Sequence, residues 1–112
     1  MNITPLRTER ITGKVGLFQI LDQAVREMPE KSVLAITSKI VAISEGSTTS
    51  REGTTKEELV HQEADSYLPA DKKYNVTLTI KNGILIPSAG IDESNANNRY
   101  VLWPRNPQQS AN

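Results

Sequence analysis

The chain has 112 residues, with 13 basic and 13 acidic side chains and no cysteine, so disulfides, thiolate zinc sites and cysteine nucleophiles are excluded. This length fits a single domain with a modest core, and the net charge of zero argues against nucleic acid or an anionic membrane as a partner. Because no segment approaches the ~18 apolar residues of a membrane helix and the start lacks an apolar signal region, we predict a soluble, cytoplasmic protein.

The first third of the chain is predicted to form a strand, a helix and a second strand. Residues 2–8 alternate loosely between apolar and polar side chains, which indicates a strand. Residues 17–28 carry apolar side chains at helical spacing and precede Pro29, which predicts an amphipathic helix. The run "SVLAIT" at residues 32–37 is apolar and rich in β-branched residues, as is typical of a strand buried on both faces. Together these elements predict a β-α-β start.

The middle of the chain is predicted to contain two further helices. Residues 38–46 are ambiguous, since their apolar residues suit a strand but Ser38 could cap a two-turn helix that ends at Gly46, and we favour the helix. The next helix is clearer, because a threonine at position 54 or 55 is followed three residues later by a glutamate, as in a capping box. We predict that this helix ends at Pro69.

The last third is predicted to be mainly β-structure. Two β-type runs within residues 74–87 flank Asn82-Gly83, a dipeptide that favours a tight hairpin turn, and a final strand is predicted near residues 99–103. A cap at Asn106 followed by proline indicates the start of a helix, although a frayed tail is the alternative. The whole pattern predicts an α/β fold of mixed α+β type, with a mixed sheet of about five strands and about three helices.

The segment "SAGIDESNANNR" at residues 88–99 is an unusually long and oxygen-rich connection between predicted strands. Asp92 is a candidate cation ligand, Glu93 supplies a second carboxylate, and Ser94 and Asn95 supply neutral oxygen or amide groups. Magnesium suits this set, because the ion takes one or two protein carboxylates and completes its shell with waters and nucleotide phosphates. The alternative is a polar strand connector with no ligand.

A second group of polar residues surrounds the segment "TSKIVAISEG" at residues 37–46. Ser38 and Lys39 follow the predicted strand at residues 32–37, in the place where α/β folds bind anionic ligands, and Glu45 follows soon after. The alternative is helix capping with one exposed lysine. His61, the single histidine, lies on the polar side of its predicted helix and is interpreted as a surface residue.

Three segments resemble a known family: "LRTERIT", "SVLAITSKIVAISEG" and "SAGIDESNANNRYVLWPRNPQQSAN". In this order they are similar to the N-terminal half of the gamma-glutamyl ligase family, typified by the enzyme that adds glutamate to the deazaflavin coenzyme F-420. They look closest to its bacterial branch of folate-metabolism gamma-glutamate ligases. The A-G-I-D-x-S-N block is the most specific match. Two departures are Asn106, where the family usually has aspartate, and Ala42, where serine is common.

The resemblance implies a ligase that uses GTP or ATP with Mg²⁺ or Mn²⁺, phosphorylates a substrate carboxylate to an acyl phosphate, and joins it to L-glutamate. Its partners would be the nucleotide, L-glutamate and a carboxylate-bearing metabolite, either folate-like or deazaflavin. The resemblance also implies roles for individual residues: Lys39 and Asp92 as catalytic residues, Asp92 as the metal ligand, and Ser38, Lys39, Glu45, Ser94 and Asn95 as nucleotide-binding residues.

Members of the family are roughly twice as long as this chain. We therefore expect residues 1–112 to form a single domain that is the N-terminal portion of the ligase fold, incomplete at its C-terminus and without the whole active site. Such a chain would expose surface that is otherwise covered, and a homodimer is expected. The alternative function is a non-catalytic truncated domain that acts as a ligand-binding or dimerisation module.

Overall fold

The computed structural model describes residues 1–69, 73–93 and 97–112. These residues form four α-helices and five β-strands, which confirms the predicted mixed α+β class. The chain divides into two compact units, one made of residues 1–47 with 104–112 and the other of residues 48–103. No helix within the described ranges is long and apolar enough to cross a membrane.

Two helices lie in the first part of the chain. Helix α1 spans Leu17–Ala24 and buries Ile20, and it ends four residues before the predicted boundary because Val25 adopts an extended conformation. Helix α2 spans Ser38–Ser44, so the ambiguous segment is a helix, as we favoured. Its cap is Thr37 rather than Ser38, since the Thr37 hydroxyl accepts the main-chain N–H of Ile40 at 3.4 Å.

The two strands predicted in this unit, at residues 2–8 and 32–37, are wrong. Neither segment forms a strand, and their apolar side chains are largely exposed, with Val33 at 93 % and Ile3 at 80 %. A strand requires hydrogen bonds to a neighbouring strand, and apolar composition alone does not provide that partner. The predicted β-α-β start is therefore absent from the described residues.

The strands lie in the second unit, where they form two small antiparallel sheets instead of one mixed sheet. Strand β1, Thr48–Ser50, pairs with β5, Arg99–Val101. Strands β2, Ser66–Tyr67, β3, Leu78–Lys81, and β4, Ile84–Pro87, form the second sheet in that order. The predicted hairpin is confirmed between β3 and β4, because Asn82 and Gly83 have φ of 51° and 72°, as a type I′ turn requires.

Helix α3, Lys56–Glu63, begins with the predicted capping box. The Thr55 hydroxyl accepts the Glu58 N–H at 3.2 Å, and the Glu58 carboxylate accepts the Thr55 N–H at 2.9 Å. The hydrogen bond with the Thr55 main chain, and after it the hydrogen bond with the Thr55 side chain, lower the pKa of the Glu58 carboxyl below its ordinary value. These reciprocal bonds are local, which is why the sequence predicts them correctly.

The predicted end of this helix at Pro69 is wrong, because the chain becomes extended at Ala64 and then forms β2. The main chain of Ser66–Tyr67 pairs with β3, and the Tyr67 ring stacks on His61 with centroids 4.1 Å apart. His61 is exposed, which confirms its interpretation as a surface residue. Competition from a neighbouring strand therefore ends α3 earlier than the proline would.

The core of the second unit connects α3 to the segment that follows β4. A short 3-10 turn, Ser88–Gly90, follows β4 and leads to Ile91. The buried cluster consists of Leu59, Val60, Ala89, Ile91 and Tyr100, with Ala64 and Leu102 packed against it. This packing anchors the beginning of the oxygen-rich segment, residues 88–92, to the interior of the unit.

A fourth helix, α4, spans Pro107–Ala111, as the capping signal predicts. The Asn106 side chain accepts the N–H of Gln109 at 3.0 Å, and the proline occupies the first helical turn, where its missing N–H costs nothing. The helix therefore begins where the sequence places it.

Candidate functional site

Asp92, the predicted metal ligand, is bonded through its main chain to strand β5. Its N–H donates to the Val101 carbonyl at 2.9 Å, and its carbonyl accepts the Val101 N–H at 2.8 Å. Val101 is 1 % exposed, whereas Asp92 is half-buried. The two hydrogen bonds fix the main chain from which the carboxylate projects, as a site of defined geometry requires.

The turn before Asp92 contains three successive residues with left-handed backbone conformation. Ser88, Ala89 and Gly90 have φ of 50°, 51° and 72°. This conformation costs about 1–2 kcal/mol for a residue with a Cβ atom, so the surroundings must stabilise it at Ser88 and Ala89. Backbone strain of this kind clusters at functional sites. The left-handed backbone of this turn therefore favours a functional segment over a simple connector between strands.

Thr79 stabilises this turn from within the neighbouring sheet. Its hydroxyl accepts the Ala89 N–H at 2.8 Å and donates to the Ile86 carbonyl, and the residue is 1 % exposed. Ala89 is itself fully buried in the core cluster. One buried hydroxyl thus links the left-handed turn to both β3 and β4.

Gly90 is required by two features of the turn. Besides its positive φ, a Cβ atom at this position would lie 2.5 Å from Cε3 of Trp103 and 3.1 Å from Cδ1 of Ile86. Each residue of the "AGID" block, residues 89–92, therefore has a separate physical role: a buried alanine, a glycine against an aromatic ring, an apolar core residue and an aspartate whose main chain is bonded to β5.

Glu93, the predicted second carboxylate, faces two cationic side chains. Lys56 Nζ lies 3.2 Å from its Oε1, and Arg51 Nη2 lies 3.9 Å from its Oε2. The Arg51 guanidinium also donates to the main-chain carbonyl of Glu93. These contacts balance the charge of Glu93.

The sequence provides no sign of Arg51 and Lys56 as neighbours of this segment. Arg51 follows β1 and Lys56 begins α3, so both come to Glu93 from about 40 residues earlier in the chain. The pairing of β1 with β5 produces this proximity, and β1 contains only threonine and serine without an apolar alternation. Only the tertiary structure reveals these two residues.

Asp92 is the residue of this segment that would hold a magnesium or manganese ion. Mg²⁺ sites in nucleotide enzymes use one or two protein carboxylates while phosphates and waters fill the other positions, so a single carboxylate is compatible with such an ion. Within residues 1–69, 73–93 and 97–112, no group of three His, Asp or Glu side chains could hold a metal ion. Ser94 and Asn95, the predicted nucleotide-binding pair, lie outside the described residues.

Ser38 and Lys39, predicted to bind nucleotide, occupy the first turn of α2 in the other unit. Ser38 is exposed and Lys39 is half-buried. Both residues lie at the start of a helix and not at the carboxyl end of a strand, because residues 32–37 do not form one. The predicted placement at a strand end is therefore wrong, whereas the placement at a helix start is confirmed.

Glu45 lies at the opposite end of α2 and has two partners from the C-terminal segment of the same unit. Its Oε2 accepts the Arg105 N–H at 3.3 Å, and its Oε1 accepts the Ser110 hydroxyl. Glu45 lies six positions after Lys39, which corresponds to about 9 Å along the helix axis. The structure therefore gives Glu45 a role in holding α4, a role that sequence reasoning missed.

The predicted residues are divided between the two units. Lys39 and Glu45 belong to the unit of residues 1–47 and 104–112, and Asp92 belongs to the unit of residues 48–103.

Comparison with known proteins identifies one family: the family model described as F420-0:gamma-glutamyl ligase matches residues 5–112. No curated protein and no solved structure matches the chain.

Proposed function

We propose, since the chain belongs to the F420-0:gamma-glutamyl ligase family, that it contributes to a nucleotide- and metal-dependent gamma-glutamyl ligase. The acceptor would be a carboxylate-bearing cofactor, folate-like or deazaflavin, and the nucleotide would be GTP or ATP. The main support besides the family is the geometry of Asp92, whose main-chain N–H and carbonyl are both hydrogen-bonded to the buried Val101.

The reaction requires two displacements. An oxygen of the acceptor carboxylate attacks the γ-phosphorus of the nucleotide, and the bond to the nucleoside diphosphate breaks. The amine nitrogen of L-glutamate then attacks the acyl carbon, inorganic phosphate leaves, and the nitrogen loses a proton. Negative charge gathers on the transferred phosphoryl group, so the protein's main task is to position reactants and balance that charge.

Two charged residues suit this task in the proposal. A divalent cation, when bound, would neutralise phosphate oxygens, and Asp92 is the residue that would hold it. The Lys39 ammonium would balance phosphate charge as a point cation, and the Ser38 hydroxyl at the same helix start would orient an oxygen. Glu45 would act indirectly, through its bonds to Arg105 and Ser110.

The experiment that tests this proposal is a calorimetric titration of the 112-residue chain with GTP and with ATP, each with and without Mg²⁺. We expect one nucleotide to bind, and to bind more tightly when Mg²⁺ is present. Binding that is equally tight in both conditions would contradict the metal role, and the absence of heat with both nucleotides would contradict a nucleotide site in this chain.

Self-association as a dimerisation module is the second function that we propose for this chain. In the hairpin of β3 and β4, Ile80 pairs with Leu85 and Leu78 pairs with Pro87, so these side chains share one face of the sheet. Leu85 is 68 % exposed and Leu78 is 47 % exposed. We propose that this apolar face, Leu78, Ile80 and Leu85, packs against the same face of a second copy of the chain.

Introducing a charge on this face should prevent the association. We expect the unchanged chain to sediment as a dimer and Leu85→Lys to sediment as a monomer, because an unpaired charge would be buried at the interface. Ile84→Lys is the matched control, since Ile84 is 48 % exposed on the opposite face of the same strand. Sedimentation velocity decides: a monomeric unchanged chain, or a dimeric Leu85→Lys, would contradict the proposal.

A further inference from the structure

Arg51 forms hydrogen bonds with residues on both sides of residues 94–96. Its guanidinium donates to the main-chain carbonyl of Glu93. Its own main-chain N–H donates to the Asn98 carbonyl at 3.4 Å. The residue directly after Asp92 and the residue just before β5 are therefore both bonded to the same arginine.

The guanidinium is itself held in a defined position. Its Cζ atom lies 5.0 Å from the centroid of the Tyr100 ring, and Tyr100 belongs to the buried core cluster. A planar guanidinium stacks on an aromatic face and directs its N–H groups within one plane. The Glu93 carbonyl is thus bonded to a group that is anchored in the core, even though about a third of the arginine side chain, 34 %, is exposed.

Lys56 provides a useful contrast, because it contacts the same residue through a different group. Its Nζ lies 3.2 Å from the Glu93 carboxylate, and both side chains are more than a third exposed. An exposed ion pair of this kind constrains the side chain of Glu93 but makes no contact with its main chain. The two cations therefore carry the same charge near Asp92 and differ in whether they bind the backbone.

We infer that Arg51 is a positioning residue for Asp92: it binds the next carbonyl in the chain and so holds the main chain that presents the carboxylate to a divalent cation. This inference rests on the metal role proposed for Asp92. Asp92 is then restrained on one side by its two hydrogen bonds to Val101 and on the other by Arg51 through Glu93.

The change in metal-dependent nucleotide binding shows whether Arg51 acts by positioning Asp92 or only by its positive charge. Arg51→Gln and Lys56→Gln each remove one positive charge near Asp92. If charge alone mattered, both changes would favour a bound cation, because a repulsive neighbour is lost. Positioning predicts different results for the two variants: Arg51→Gln should weaken the metal-dependent part of nucleotide binding by about 10-fold or more, whereas Lys56→Gln should leave it unchanged or slightly stronger.

The experiment has two readouts on the 112-residue chain. The first is amide hydrogen exchange at Asp92 and Val101 without ligand, measured by NMR. We expect Arg51→Gln to raise both rates by at least about 10-fold, the effect of losing a hydrogen bond from a charged group, and Lys56→Gln to leave them unchanged. The second is calorimetric titration with the nucleotide that binds the unchanged chain, with and without Mn²⁺.

The outcomes separate this inference from the proposed function. Unchanged exchange in Arg51→Gln, or equal metal-dependent binding in Arg51→Gln and Lys56→Gln, would overturn the role of Arg51 while leaving Asp92 as the ligand. If Mn²⁺ does not change nucleotide binding by the unchanged chain, the metal role of Asp92 is contradicted, and the role of Arg51 is contradicted with it. Arg51→Lys retains the charge but not the planar group, and replaces Arg51→Gln in both readouts if that variant does not fold.

Discussion

Replacing Asp92 with asparagine is expected to abolish the metal-dependent part of nucleotide binding. Asparagine has nearly the same size, and the two hydrogen bonds to Val101 use only the main chain, so these two bonds should remain in the variant. The loss of the carboxylate removes a charged ligand from a hard cation. Because changing even an outer partner of a metal ligand costs about 10–100-fold in affinity, we expect a loss of at least about 100-fold.

The measurement is calorimetric titration of Asp92→Asn with GTP and ATP at saturating Mg²⁺, compared with the unchanged chain. Glu93→Gln is the matched control, since it neutralises the adjacent carboxylate while leaving Asp92 in place. That carboxylate faces Lys56 and Arg51 in a partly exposed ion pair, so its loss should change the dissociation constant less than about fivefold. If Asp92→Asn still responded to Mg²⁺ like the unchanged chain, the metal would have to lie elsewhere.

Replacing Gly90 with alanine is expected to destabilise the second unit strongly. The new Cβ atom would meet the Trp103 ring at 2.5 Å, and the residue would have to keep a φ of 72°. A left-handed residue with a Cβ atom costs about 1–2 kcal/mol and forcing an extra carbon into a packed site costs about 1–3 kcal/mol, so the free energy of unfolding should fall by roughly 2–5 kcal/mol. The turn before Asp92 would also shift.

Gly53→Ala separates these two causes, because Gly53 has a φ of 78° but has no atom within 4 Å of its would-be Cβ. It belongs to the same unit and carries only the conformational cost, about 1–2 kcal/mol. Trp103 is the single tryptophan and adjoins Gly90, so its fluorescence during urea unfolding measures both variants. Equal stability of Gly90→Ala and Gly53→Ala would mean that the ring moves aside without cost.

Local hydrogen bonds explain which parts of the fold the sequence determines by itself. The capping box of Thr55 and Glu58, the hairpin turn at Asn82-Gly83 and the cap at Asn106 each depend on residues within four positions of one another. Such signals require no distant partner, and all three are confirmed. The family resemblance that the sequence indicates is also confirmed, by a family model that matches residues 5–112.

The tertiary structure decided what depends on distant partners. The apolar run at residues 32–37 looks like a buried strand but pairs with no strand among the described residues, whereas the polar residues of β1 become a strand because β5 pairs with them. Glu45 accepts hydrogen bonds from Arg105 and Ser110, which lie about 60 residues later in the chain, so no local pattern predicts these partners. Arg51 reaches Glu93 in the same manner, since hydrogen bonds and ion pairs between separated segments form only after the chain has folded.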